Sequence, residues 1–159
     1  MNRLRTRALA TAALTVIATA LAALAPSGAL ADEKTATFTI QLSGATEVCP
    51  TAPTTCGGPG TGTATITIDR NAQTVCYSIT TQNVALPLLA AHIHEAPVGV
   101  AGPVVVPLFT SPVNSATTSG CVTDVNKNLL KDILRNPEEY YVNVHNAPFP
   151  AGAVRGQLA

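Results

Sequence analysis

The three histidines of this chain lie in two short segments. His92 and His94 flank Ile93, and His145 ends the segment Tyr141-Val142-Asn143-Val144-His145. Because successive side chains of a strand point to opposite faces, His92 and His94 share one face, with their Cα atoms roughly 7 Å apart. If the two segments form neighbouring strands, His145 adds a third imidazole to that face. Imidazole nitrogens bind copper and zinc, so the spacing predicts a site for one copper or zinc ion.

Four other side chains are candidate neighbours of this site. Asn143 shares a face with His145, and its amide suits a hydrogen bond to a metal ligand better than metal binding itself. Glu95 can supply an oxygen ligand if the strand ends at His94, and points away if the strand continues. Arg155 is a candidate contact for an anion, or else pairs with a carboxylate such as Glu95 or stays solvated. Tyr141 either borders the site or is an amphipathic surface aromatic.

The histidines also have an interpretation without a metal, in which they hydrogen-bond backbone carbonyls and fix the loop at residues 95–102. A metal site requires neutral imidazoles, so ion binding is expected to weaken below about pH 6.5. No catalytic residue is assigned. The sequence has no Gly-x-Ser-x-Gly elbow and its cysteines are expected to be paired, so neither serine nor cysteine has the partners of a nucleophile.

The first 31 residues have the pattern of a secretory signal peptide. Arg3, Arg5 and Arg7 precede an apolar run, and Ala29-Leu30-Ala31 provides the small-x-small cleavage pattern. The alternative of a membrane anchor is weaker because the run is rich in Ala and Thr and is followed by Pro, Ser and Gly. We therefore expect a mature, extracytoplasmic chain over residues 32–159, secreted or at the cell surface, with no membrane span.

Removing that segment leaves six basic against nine acidic residues, a net charge of about −3. Without a basic patch, phosphate neutralisation cannot drive binding to nucleic acid, and that class of partner is excluded. The remaining length suits one domain, and the core must be aliphatic because the chain has no Trp.

The four cysteines of an exported chain favour disulfides. Of the three possible pairings we favour Cys49 with Cys56, which closes a loop rich in Pro and Thr, and Cys76 with Cys121, which ties two strands. Sequence alone leaves the other two pairings open.

Alternating apolar and polar residues predict about eight short strands. They begin near Thr35 and include residues 63–68, 74–81, 84–94, 104–108, 120–122, 140–145 and 153–158. Pro107 predicts an edge strand or a bulge. One helix is expected after Thr123 or Asp124, which could cap it, ending at Asn136-Pro137. The fold class is all-β, a Greek-key β-sandwich or flattened barrel with one short helix.

Four motifs in order resemble the CHRD domain, the repeat of chordin and of many secreted bacterial proteins. They are His92-Ile93-His94, Gly102-Pro103-Val104-Val105, Tyr141-Val142-Asn143-Val144-His145 and Pro150-Ala151-Gly152-Ala153-Val154-Arg155-Gly156-Gln157-Leu158. The likeness covers about residues 35–159. It implies an extracellular β-rich binding or structural module, without an established activity for the bacterial members and without naming a protein partner.

A weaker, local likeness is to copper-zinc superoxide dismutase. His92, His94 and Val144-His145 resemble the copper-binding motifs of that family, and Arg155 resembles the arginine that guides the anion. The bridging histidine and the zinc ligands have no counterpart, because the chain has no further histidine. This resemblance implies, as the competing function, a mononuclear copper oxidoreductase. A metal-free protein-interaction module is the third possibility.

Overall fold

The computed structural model describes residues 34–49 and 55–159. The expected signal peptide, its cleavage point before Asp32 and most of the loop between Cys49 and Cys56 lie outside the described residues.

Within these residues the chain forms one antiparallel sheet of eight strands. The strands are β1 Thr35–Ser43, β2 Thr61–Asp69, β3 Thr74–Gln82, β4 Leu88–Glu95, β5 Val104–Phe109, β6 Thr117–Val122, β7 Tyr140–Asn146 and β8 Val154–Gln157. Their order across the sheet is β5-β4-β7-β8-β1-β2-β3-β6. A backbone bridge joins Leu88 of β4, near one end of the sheet, to Val113 in the connection that leads into β6 at the other end. The sheet is therefore barrel-like and nearly closed, which confirms the all-β prediction.

The core follows from the alternation of residue types along the strands. Ile66 and Ile68 of β2 are fully buried, whereas Thr65 and Thr67 lie on the other side of the same strand. Branched side chains suit both faces of a pleated sheet, and the apolar phase turns inward. Val142 and Val144 of β7 are also fully buried. The side chains of Asn143 and His145 therefore lie on the outer face of the sheet.

A single α-helix of the described residues, α1, covers Lys127–Arg135 and buries Leu130 and Ile133. The prediction that Thr123 or Asp124 caps it was wrong. Asp124 has a positive φ of 61°, so the chain turns there, and the cap falls at Asn126. The Asn126 side chain accepts hydrogen bonds from the backbone N–H groups of Asn128 and Leu129. No helix in the described part of the chain is long and apolar enough to cross a membrane.

The disulfides join Cys49 to Cys56 and Cys76 to Cys121, the two pairs that the sequence favoured. Cys76 of β3 lies directly opposite Cys121 of β6 in the strand register. The second bridge therefore ties the last strand of the sheet to its neighbour.

Strand β5 is the other end of the sheet, and Pro107 lies opposite His92 in its pairing with β4. The register shifts between Ala91 and His92 and again between Ile93 and His94. Because proline has no N–H to donate, it is found at edges and bulges, and both features occur here as predicted.

Candidate metal centre

The pairing of β4 with β7 brings the three histidines together on the outer face. His92 lies opposite Asn143, His94 opposite Tyr141, and Ala90 opposite His145. Each histidine offers one ring nitrogen to a cluster in which all three nitrogens lie within 4.8 Å of one another. Strand periodicity predicts this convergence, provided that the two segments are neighbouring strands.

Backbone carbonyls orient two of the three rings. The Nδ1 atom of His94 lies 2.9 Å from the carbonyl oxygen of Gly102, and that of His145 lies 3.0 Å from the carbonyl oxygen of Pro150. A carbonyl oxygen only accepts, so each Nδ1 must carry the hydrogen. In the neutral rings the Nε2 atoms therefore carry lone pairs, and these face the cluster. Metal-binding histidines are held in this way.

The Nε2 atom of His94 has no hydrogen-bond partner among the described residues, although it is buried. Only 8% of His94 is exposed, so solvent reaches it poorly. An unsatisfied buried polar atom costs about 1–3 kcal/mol. A cation bound at this nitrogen would remove that penalty, so the donor set fits a metal ion.

His92 is the least constrained of the three. Its Nδ1 atom lies 3.1 Å from Nε2 of His145, and no backbone carbonyl of residues 34–49 or 55–159 is paired with its ring. Donors around a tetrahedral ion with ~2.1 Å bonds are about 3.4 Å apart, so these two atoms must separate slightly, while any longer spacing in the cluster, up to 4.8 Å, must shorten. Among the described residues, His92 is the one histidine of the cluster whose ring can adjust without losing a bond to a backbone carbonyl.

The surroundings favour the neutral imidazoles that metal binding requires. Burial, together with the nearby His145 and His94, lowers the pKa of His92 to about 4. Burial also lowers the pKa of His94, against the opposing effects of the Gly102 carbonyl and the nearby Asn143 side chain. It lowers the pKa of His145 as well, against the opposing effect of the Pro150 carbonyl. The rings therefore stay neutral below the pH of 6.5 that the sequence indicated, so proton competition for the ligands begins at a lower pH.

Tyr141 lies between His94 and Arg155. Its ring stacks on that of His94 with centroids 4.7 Å apart and planes 9° apart. The guanidinium carbon of Arg155 lies 3.4 Å from the Tyr141 ring centroid, within cation–π range. Only 3% of Tyr141 is exposed, so the interpretation as a surface aromatic was wrong.

Arg155 holds the loop at residues 96–102 over this face. Its guanidinium donates to the carbonyls of Val100 at 2.8 Å and Pro97 at 3.1 Å. Gln157 donates to the carbonyl of Ala96, and the Tyr141 hydroxyl accepts from the N–H of Gly102. Nδ1 of His94 also bonds to this loop through Gly102, as the interpretation without a metal predicts. Its Nε2 atom has no hydrogen-bond partner among the described residues.

For Arg155 and Glu95, two of the candidate neighbours of the site, the surroundings exclude one of the alternatives that the sequence left open. Arg155 is 2% exposed and its donors point to loop carbonyls, so it is not solvated as one alternative held. Strand β4 continues to Glu95, which pairs with Tyr140, and its side chain is exposed on the side away from His94. The condition under which Glu95 would offer an oxygen ligand is therefore not met.

Sequence reasoning missed Glu47, a carboxyl beside Arg155. Burial raises its pKa to about 7, against the attraction of Arg155, and its Oε1 atom is buried with no hydrogen-bond partner in the part of the chain that the structure describes. A single glutamate in a loop carries no periodic signal. Only the fold places it at Gly152, where a Cβ would collide with the carboxyl.

These features define a disulfide-bonded all-β domain with a histidine cluster on its outer face. A family model described as "CHRD domain" matches residues 38–158, and the chain belongs to the CHRD domain family. This confirms the family that the four motifs indicated. No curated protein and no solved structure matches the chain significantly. The likeness to superoxide dismutase remains confined to short motifs.

Proposed function

We propose that this chain is an extracytoplasmic binding or structural module that holds one metal ion, copper or zinc, on His92, His94 and His145. The observation that carries the proposal is the bare, buried Nε2 of His94, which faces two further imidazoles. Because Gly102 and Pro150 fix the opposite nitrogens of two rings, lone pairs are directed at one point before any ion arrives.

The location outside the cytoplasm is part of the proposal. Two disulfides are typical of proteins from oxidising compartments, and the CHRD domain agrees with that setting. Cleavage before Asp32, giving a single mature domain over residues 32–159, completes it. N-terminal sequencing of the product from an exporting host tests this part: a product that still begins at Met1 would contradict it.

The metal site is tested by elemental analysis of that exported product, followed by titration of the metal-free protein with zinc and with copper. We expect one ion for each chain. If the metal-free protein binds neither zinc nor copper, the proposal is contradicted.

The sharpest variant is His94→Asn. The side-chain amide of asparagine can take the place of Nδ1 and keep the bond to Gly102, while the Nε2 atom is lost. We expect this variant to fold and to lose the ion, and His145→Asn to do the same through Pro150. The matched control is Thr81→Ala on β3, which removes the buried Thr81 hydroxyl and its partly buried hydrogen bond to the backbone carbonyl of Ala116. It should bind the ion as the original chain does.

A second candidate function is protein binding through the loop at residues 96–102. The observation in its favour is that Val98 is 77% and Val100 49% exposed on a loop whose backbone is tightly held. This function predicts that replacing His92 and His94 by Ala leaves the metal content unchanged. Loss of metal on that replacement would argue against a metal-free module.

A further inference from the structure

Asn143 is placed among the three histidines by the strand register. It lies opposite His92 on one side and opposite Arg155 on the other, and only 2% of it is exposed. Its Oδ1 atom lies 3.0 Å from Nε2 of His145. A polar side chain that is this buried requires a hydrogen-bond partner or a bound ion, so the atom that it faces indicates which of the two it has.

With Oδ1 of Asn143 turned toward His145, the contact between these two residues lacks a hydrogen. Because Nδ1 of His145 donates to Pro150, its Nε2 carries a lone pair in the neutral ring. The amide oxygen of Asn143 also carries lone pairs, so two acceptors face each other at hydrogen-bond distance. A proton on Nδ1 of His92 could satisfy the nitrogen of His145, which lies 3.1 Å away. It would not satisfy the oxygen of Asn143.

A cation placed between these atoms resolves the conflict. It would accept lone pairs from Nε2 of His94 and of His145, from Nδ1 of His92 and from Oδ1 of Asn143. All four belong to the adjacent strands β4 and β7. Four ligands are the number that a structural zinc ion takes, whereas catalytic sites keep one position open.

We propose that the amide oxygen of Asn143 is the fourth ligand of the ion, closing the site as three nitrogens and one oxygen. This rests on the proposed function and adds to it the coordination sphere and the preferred ion. A carbonyl-type oxygen favours a divalent ion such as zinc over Cu(I), which prefers softer ligands. A closed site stabilises the domain and leaves no position for a small anion.

The surroundings of Arg155 agree with a closed site. Its guanidinium is turned to the carbonyls of Pro97 and Val100 and is covered by the ring of Tyr141. Guiding an anion to the ion would require those bonds to break. The arrangement therefore favours the binding module over the oxidoreductase that the local resemblance implied.

The test compares Asn143→Ala and Asn143→Asp with the original chain, using zinc for affinity and Co(II) as a spectroscopic probe. We expect Asn143→Ala to weaken zinc binding at least about tenfold. Loss of a group that only hydrogen-bonds to a metal ligand already lowers metal affinity ~10–100-fold. Asn143→Asp should restore or strengthen binding, because a carboxylate oxygen replaces the amide oxygen. The original chain should give the intense visible bands of tetrahedral Co(II).

Added azide separates a closed site from an open one. It should leave the Co(II) spectrum of the original chain unchanged and alter that of Asn143→Ala, in which one position has become free. Thr81→Ala is the control for loss of a buried polar group elsewhere. Thermal melting of the metal-free proteins shows whether each variant folds. If Asn143→Ala does not fold, Asn143→Asp still tests whether the oxygen at this position binds the ion.

Two results would overturn the inference. One is zinc binding by Asn143→Ala that equals or exceeds that of the original chain, as expected if the amide instead presents its N–H to His145. The other is an azide response in the original chain. In either case loss of the ion in His94→Asn would leave the proposed function standing. If the original chain binds no ion, both proposals fall together.

Discussion

Replacing Arg155 by Met tests how much the buried guanidinium contributes to the fold. Arg155 is 2% exposed and donates to two loop carbonyls, and methionine keeps much of its apolar stem. A hydrogen bond to a charged group contributes about 1.5–3 kcal/mol. The stack on Tyr141 adds on the order of 1–2 kcal/mol in a desolvated position.

The cost of burying the charge opposes these gains, since a buried cation loses its hydration. Burial lowers the pKa of Arg155, which reflects that cost, and Glu47 offsets part of it. We expect a net loss of about 3 kcal/mol in the free energy of unfolding. Domains of this size are stable by about 5–15 kcal/mol, so the variant should still fold.

The assay is urea unfolding of the metal-free protein together with hydrogen exchange of loop amides. The N–H of Gly102 bonds to Tyr141 and that of Val100 to Pro97, so both should exchange faster when the loop opens. Arg155→Lys keeps the charge but loses the forked geometry, and should lose about half as much. A stability loss below about 1 kcal/mol with unchanged exchange would show that these carbonyl bonds contribute little.

Three further predictions follow from the ionisable groups and the disulfides. Between pH 6.5 and about 4, the unfolded chain binds a proton at His92 that the folded chain does not, so stability should fall as pH falls. The raised pKa of Glu47, about 7 against 4.5, acts in the opposite direction, because stability is lost as pH rises through that range. Glu47→Gln should therefore stabilise the protein at pH 8, and its stability should fall more steeply toward pH 4.5 than that of the original chain. Urea unfolding at each pH measures both effects. Parallel profiles of stability against pH for the two proteins would contradict both assignments. Replacing Cys76 and Cys121 together by Ala, which opens a link between residues 45 apart, should cost ~4 kcal/mol in the same assay, and unchanged stability would refute the cross-strand contribution.

The fold could be predicted because its signals are local. Alternation of apolar and polar residues identified the strands, and Pro107 marked the edge. The position of the helix cap was missed because Asp124 adopts a left-handed conformation, which moves the cap to Asn126 and the start of the helix to Lys127. Propensity alone does not decide among adjacent residues that can all cap a helix.

The candidate site could be predicted only in part. The shared face of His92 and His94 follows from strand geometry, whereas the place of Arg155 does not. The loop at residues 96–102 folds back over the outer face, and that return buries Arg155 and Tyr141, for which the sequence left a surface position open as an alternative. Gly102 permits the close approach, since a Cβ there would collide with the carbonyl of Glu95. Long-range contacts of this kind leave no period in the sequence.

The loop and the proposed ion share His94, so their free energies must be linked. The bond from Nδ1 of His94 to Gly102 fixes the ring so that Nε2 faces the cluster. A loop that detaches frees this ring to rotate and weakens ion binding. By reciprocity, a bound ion must then protect the loop by the same free energy that loop order adds to ion affinity. Arg155 acts on the same equilibrium from the opposite end of the loop, which gives a buried arginine outside the ligand set a physical means of tuning ion affinity.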